Sequence, residues 1–174
     1  MGSAEPLEHY LASAQRLDAD GFEAEHGAGF LILSATSLHG SGTESTRLLL
    51  GTFDEPAVGG RTADLAVVVY SLRPTLAQAG HLVTIGRDAK HDLVIDDPSV
   101  SRFHAFMRQN DDGVFVVQDM SSTNGTTVNG QGAPARGAGP PTAVKPGDNL
   151  CFGQVQVTFT DARALREFVL QAAG

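Results

Sequence analysis

Three stretches of this chain hold residue types that could do chemistry: Gly86-Arg87, Ser101-Arg102-Phe103-His104 and Ser122-Thr123-Asn124-Gly125-Thr126. Each borders an apolar run, so their Arg, Ser, Thr and Asn fall at the ends of expected strands, in loops. Arg presents a planar fork of donors that fits a phosphate. Ser adds a hydroxyl donor, and Asn can bond a partner's backbone through both its N–H and its C=O. Together they make the inventory of a surface that reads a phosphorylated peptide, with no nucleophile–base pair. Taken singly they mean less. An Arg after Gly is usually a solvated charge, Ser101 a turn residue bonding its own backbone, and Asn124-Gly125 a turn. No GxSxG, P-loop, HExxH or GxGxxG opening a helix is present, so an enzyme is not expected. His9, His26, His39, His81, His91 and His104 do not stand at metal-ligand spacing. The single Cys151 excludes a disulfide framework and a multi-Cys zinc site, and is expected to be a buried, inert thiol. Neither metal nor cofactor is expected.

Loops converge only if a scaffold brings strand ends together. Short apolar runs suggest strands at Leu65–Leu72, Leu82–Gly86, Leu93–Ile95, Phe103–Gln109, Val114–Gln118, Thr126–Val128, Asn149–Phe152 and Gln154–Thr160. Between them lie Asn110-Asp111-Asp112-Gly113, Thr123-Asn124-Gly125, Asn129-Gly130 and Pro146-Gly147-Asp148, where Asn-Gly supplies the positive φ of tight turns. This spacing argues a mainly β fold, a β-sandwich. Residues 130–141, rich in Gly and Pro, read as a loop. Earlier in the chain, Leu7, Tyr10, Leu11, Ala14 and Leu17 predict a helix over 6–19. Phe30–Leu33 reads as a buried strand, 38–46 as an exposed loop, and Arg47–Phe53 as a further strand. Asp161 is placed to cap a C-terminal helix that docks through Leu165, Phe168 and Val169.

Composition narrows the function classes. Of 174 residues 41% are hydrophobic and 18% charged, enough to bury a core. The net charge of −8 is the wrong sign for a free nucleic-acid-binding domain. It is concentrated in residues 1–65, with ten acids against three bases, while 66–160 hold eight and seven. That shift predicts a boundary near 55–65, giving an extension at 1–64, a β domain at 65–160 and a terminal helix at 161–174. No apolar run is long enough for a transmembrane helix. The first residues lack the basic and apolar regions of a signal peptide. A cytoplasmic protein acting without nucleic acid or membrane is the expectation.

Four pieces in order, Gly86-Arg87, Ser101-Arg102-Phe103-His104-Ala105, Ser122 to Gly130 and Lys145 to Gly153, resemble the forkhead-associated (FHA) domain across roughly 65–160. The resemblance implies a β-sandwich of about eleven strands, here with short N- and C-terminal helices. It also implies phosphothreonine-peptide binding by loops at one end. Arg87 and Ser101 match phosphate ligands, Arg102 an adjacent contact, and Thr123 and Asn124 the loop that holds the peptide backbone. Gly86, His104 and Gly125 match loop-shaping positions, with His104 expected to be structural. Ser99 and Val100 lie where the family selects the residue three after the phosphothreonine. The implied role is an adaptor in a Ser/Thr kinase pathway. The alternative is a phosphate-independent structural or assembly module. An enzyme with a regulatory FHA domain would need more than the 60 or so extra residues. Thr52, followed by Asp54 and Glu55, is a candidate self-ligand if phosphorylated, and Thr43 a second.

Overall fold

The computed structural model describes residues 4–34, 67–73 and 82–172. Among them are twelve strands in two sheets. One sheet has seven strands in the order β1 (Ala4–Pro6), β3 (Val67–Ser71), β2 (Gly29–Ser34), β12 (Val155–Asp161), β11 (Asn149–Phe152), β8 (Thr126–Val128) and β9 (Gln131–Gly132). The other has five: β10 (Thr142–Val144), β7 (Phe115–Asp119), β6 (Ala105–Gln109), β4 (Leu82–Gly86) and β5 (Leu93–Val94). All pairings are antiparallel except β4 with β5.

The core between the sheets follows from period-two alternation. Leu31, Leu33, Val68 and Tyr70 of one sheet face Val83, Ile85, Met107 and Val117 of the other, with Leu150, Phe152, Val157 and Phe159 completing the layer. The alternate residues of β2 and β3 have a separate destination. Phe30 and Val69 are fully buried on the outer face, under a second apolar cluster of Tyr10, Ala14, Phe22, Ala162, Leu165 and Val169. Three helices carry those residues: α1 (Leu11–Arg16, preceded by a 3-10 turn at Leu7–Tyr10), α2 (Ala19–His26) and α3 (Ala162–Ala172). Because β2 and β3 are covered on both faces, Gly29–Ser34 reads as a continuous apolar run.

Several expectations need correction. The helix expected over 6–19 is interrupted, because Leu17 is extended (φ −104°, ψ 150°). Asp18 then caps α2, its carboxylate accepting from the Gly21 N–H at 2.9 Å. Asp161 does cap α3, accepting from the Ala164 N–H at 2.8 Å. That helix docks through Ala162, Leu165 and Val169, whereas Phe168 is 44% exposed. Phe168 precedes Val169 by one position, about 100° around the helix, and so leaves the stripe. Cys151 is half-buried, because its neighbours Leu150 and Phe152 take the inward positions of β11. β9 and β10 lie in or beside the stretch expected to be a loop, and β1 was not expected. The loop at 38–46, the strand Arg47–Phe53, the boundary at 55–65, Thr43 and Thr52 lie outside the described residues. No helix among the described residues is long and apolar enough to cross a membrane.

Candidate functional site

The loops that follow β4, precede β6 and link β7 to β8 meet at one end of the sandwich. Backbone pairing does the first part. His104 N–H donates to Ile85 O at 2.9 Å, and Arg87 N–H to Ser101 O at 3.0 Å. The β4–β6 ladder therefore continues past its last regular residues, setting Arg87 beside Ser101. Gly86 makes this approach possible. A Cβ there would stand 2.1 Å from the Arg102 carbonyl oxygen, so no larger residue fits without moving backbone.

Side-chain hydrogen bonds then attach the third loop. Ser101 Oγ accepts the Thr123 N–H at 3.0 Å, and its own proton reaches Thr123 Oγ1 only at a long 3.4 Å. Asn124 Nδ2 donates to Ser99 O at 2.8 Å. Ser99 Oγ in turn bonds Asp97 Oδ1 at 2.6 Å and accepts Gln154 N–H at 2.9 Å, drawing in the turn between β11 and β12.

His104 is the hub. It is fully buried; Nδ1 accepts the Ser101 N–H at 3.0 Å and Nε2 lies 3.0 Å from Gly125 O. That pair of partners requires a neutral ring protonated on Nε2. Burial pushes the imidazole pKa below its ordinary value, against opposing contributions from the Gly125 carbonyl and Asp119. Gly125 has φ +78°, which a side chain would strain.

Asp119 was not anticipated as a site residue, yet it holds the third loop from beneath. Its buried carboxylate accepts Ser122 Oγ at 2.6 Å, Thr126 Oγ1 at 2.7 Å and Ser122 N–H at 3.0 Å. Burial alone would raise its pKa, but these bonds outweigh it and hold the carboxyl below its usual value. The available signal was the pair of hydroxyl residues three and seven positions after an acid at a strand end.

All eight residues singled out from the sequence thus fall in one cluster. Gly86 and His104 are buried within it, Ser101 and Gly125 half-buried, and Arg87, Arg102, Thr123 and Asn124 exposed. The Arg87 and Arg102 side chains have no hydrogen bond or ion pair among the described residues; neighbouring Asp88 is occupied by Lys90 at 3.3 Å. The surface therefore offers two guanidinium forks, a hydroxyl donor and an amide. No described His, Cys, Asp and Glu side chains group in a way that could hold a metal. A groove of about 460 Å³ lies elsewhere, lined by Asp20, Glu23, Leu72, Arg73, Gln109 and Phe115, at the far end of β6 and β7. That groove and the convergent polar groups are separate features.

Comparison with known proteins covers the stretch of chain that holds these loops. Residues 83–153 match the family model described as FHA domain. A curated protein named oxoglutarate dehydrogenase inhibitor, from Corynebacterium glutamicum, is 37% identical over 76 residues, which are 44% of this chain and 48% of that protein. Its namesake from Corynebacterium diphtheriae is 35% identical over 78 residues, 45% of this chain and 50% of that one. The chain thus spans about half the length of the curated relatives it matches. Among solved structures, the FHA domain of a Chlamydia trachomatis protein has 18% identity and a TM-score of 0.47, covering 76% of this chain and 97% of that one.

Proposed function

We infer, from the premise that residues 83–153 are an FHA domain, that the loop end bearing Arg87 binds phosphothreonine peptides and that the protein is an adaptor in Ser/Thr kinase signalling. The observation that carries this reading is an exposed Arg87 without a partner among the described residues, fixed beside Ser101 by the bond from its own N–H to Ser101 O. A phosphothreonine carries roughly −1.5 to −2 charge at neutral pH. The Arg87 fork meets that charge, and the Ser101 hydroxyl exchanges its long bond to Thr123 for a phosphate oxygen. Arg102 adds a second cation. Asn124, anchored through one N–H on Ser99 O, keeps its carbonyl oxygen and second N–H for the peptide backbone. Thr123 flanks the phosphate, while Gly86, His104 and Gly125 hold the loops. Charge-assisted bonds contribute about 1.5–3 kcal/mol each. Two or three of them, less the cost of ordering the peptide, give roughly micromolar affinity.

Titration calorimetry with paired phosphothreonine and threonine peptides tests the reading. Wild type is expected to bind only the phosphorylated form, and Arg87→Ala to lose at least thirtyfold in affinity, about 2 kcal/mol, at an unchanged melting temperature. Equal binding of both peptide forms overturns it. The second reading is phosphate-independent contact with a protein, and the relatives named as enzyme inhibitors favour keeping it. Capture of an oxoglutarate dehydrogenase that Arg87→Ala leaves intact would carry that reading. Self-recognition through Thr52 belongs to the first reading: phosphorylation there would block peptide binding in trans, and Thr52→Ala would restore it.

A further inference from the structure

Among the described residues three large apolar side chains are exposed: Phe103 at 38%, Val114 and Phe168. Val114 stands at the far turn between β6 and β7, and Phe168 on α3. Phe103 alone stands in the recognition loops, next to Arg102 and two residues from Ser101. The core does not use it. β6 begins at Ala105, so Phe103 lies ahead of the regular strand, where a polar residue would serve the backbone equally well.

Its ring is nevertheless held in place. It stacks on His91 with centroids 4.9 Å apart and planes at 29°. His91 is buried, and its ring packs over Gly86, where a Cβ would come within 2.7 Å of Cδ2. The His91 N–H is tied to Asp88 O at 3.2 Å. His91 Nε2 is buried without a hydrogen-bond partner, a cost the fold accepts at this place. The outcome is a rigid aromatic surface, contiguous through Gly86 and Arg102 with the Arg87–Ser101 pair. A ring already fixed loses little entropy when a ligand covers it.

We propose that the Phe103–His91 stack is a selectivity ledge for an apolar side chain of the bound phosphopeptide. The position it selects flanks the phosphothreonine and is not the third one after it, which the Ser99–Val100 stretch is expected to meet. The proposal rests on the phosphothreonine reading above. Its chemistry is plain: an aliphatic or aromatic side chain removes the exposed ring from water, and a small polar one does not.

A degenerate phosphothreonine-peptide library, screened against the full chain, tests it. Wild type is expected to enrich aliphatic or aromatic residues at one such flanking position. Phe103→Ser should lose that enrichment and bind the selected peptide five- to tenfold more weakly. A peptide with Ser at that position should bind both proteins equally. Phe103→Leu should keep part of the preference, and melting temperatures should confirm that both variants fold. Enrichment confined to the third position after the phosphothreonine, or unchanged in Phe103→Ser, overturns the ledge and leaves the phosphate reading standing. So does Phe103→Ser weakening every peptide alike. A wild-type protein that retains no phosphopeptide overturns both.

Discussion

The loop end bearing Arg87 and the helical layer sit on the same sandwich but are held by different forces. At the loop end the connections are directional: His104 to Ser101 and Gly125, Asp119 to Ser122 and Thr126, Ser101 to Thr123, Asn124 to Ser99. The helical layer is held by area, with Tyr10, Phe22, Phe30, Val69, Leu165 and Val169 closing over the outer face of β2 and β3. Its long-range polar ties include Arg166 Nε to Leu17 O at 2.8 Å. Apolar burial tolerates small displacements, and hydrogen bonds do not. The loop end, whose side chains are held at fixed positions, rests on a polar lattice, and the helical cover rests on packing.

Perturbing each region in turn tests that contrast. The largest effect is expected from Phe22→Ala, which empties a fully buried ring site in the helical layer. It should lower stability by about 3–5 kcal/mol in denaturant unfolding, while the folded fraction binds phosphopeptide as before. Lost affinity at full folding would mean that the two regions are coupled. Asp119→Ala comes next. It strands two hydroxyls and a backbone N–H that the carboxylate now accepts, at about 2–3 kcal/mol, and here affinity should fall with stability because the 119–126 loop loses its support. Unaltered affinity would show that the loop holds its shape without Asp119.

Acidification reaches both regions, with smaller effect. His104 in the lattice and His26 under the helical layer are each held by burial below the ordinary imidazole pKa. His26 Nε2 lies 3.3 Å from Glu25 Oε1 but is not aligned for a hydrogen bond, and that carboxylate only partly offsets burial. The unfolded chain takes up a proton at each site near pH 6.5, while the folded protein resists until lower pH. Stability should therefore be complete above that value and decline as pH falls through it. Asp119 and Asp148, whose carboxyls are held low by their hydrogen bonds, extend the loss below about pH 4. Melting temperatures at pH 7.5 and 5.5 check this, and His26→Leu should shrink the difference. An undiminished difference would assign the dependence to His104.

Much of this was legible in the sequence because strand ends carry turn signals. β4, β8 and β11 have the expected bounds, since each stops at Gly, Asn-Gly or Gly. The loop residues were legible because Arg, Ser, Thr and Asn have little reason to recur together at strand ends. Other parts had no local signal. Ala4–Pro6 is a strand only because Val68–Tyr70 pair with it across more than sixty residues of chain. The break at Leu17 was hidden because Leu17 keeps the helical spacing while Asp18 starts a new helix. Phe103 read as the first residue of a strand, and only packing shows its ring outside the core. Asp119 carried no motif of its own, since one acid at a strand end is common and its worth depends on which hydroxyls fold back to it.

The order of strands has a consequence for how this molecule behaves in company. Among the described residues the outermost strands of the two sheets are β1, β9, β10 and β5, of three, two, three and two residues, and β1 ends in a proline. An unpaired strand edge is a template on which another chain can add itself, and its capacity grows with length and flatness. Edges this short, one closed by a residue without an N–H, offer a second molecule almost nothing to extend. Along these described edges the two sheets therefore give little footing for edge-to-edge pairing between molecules.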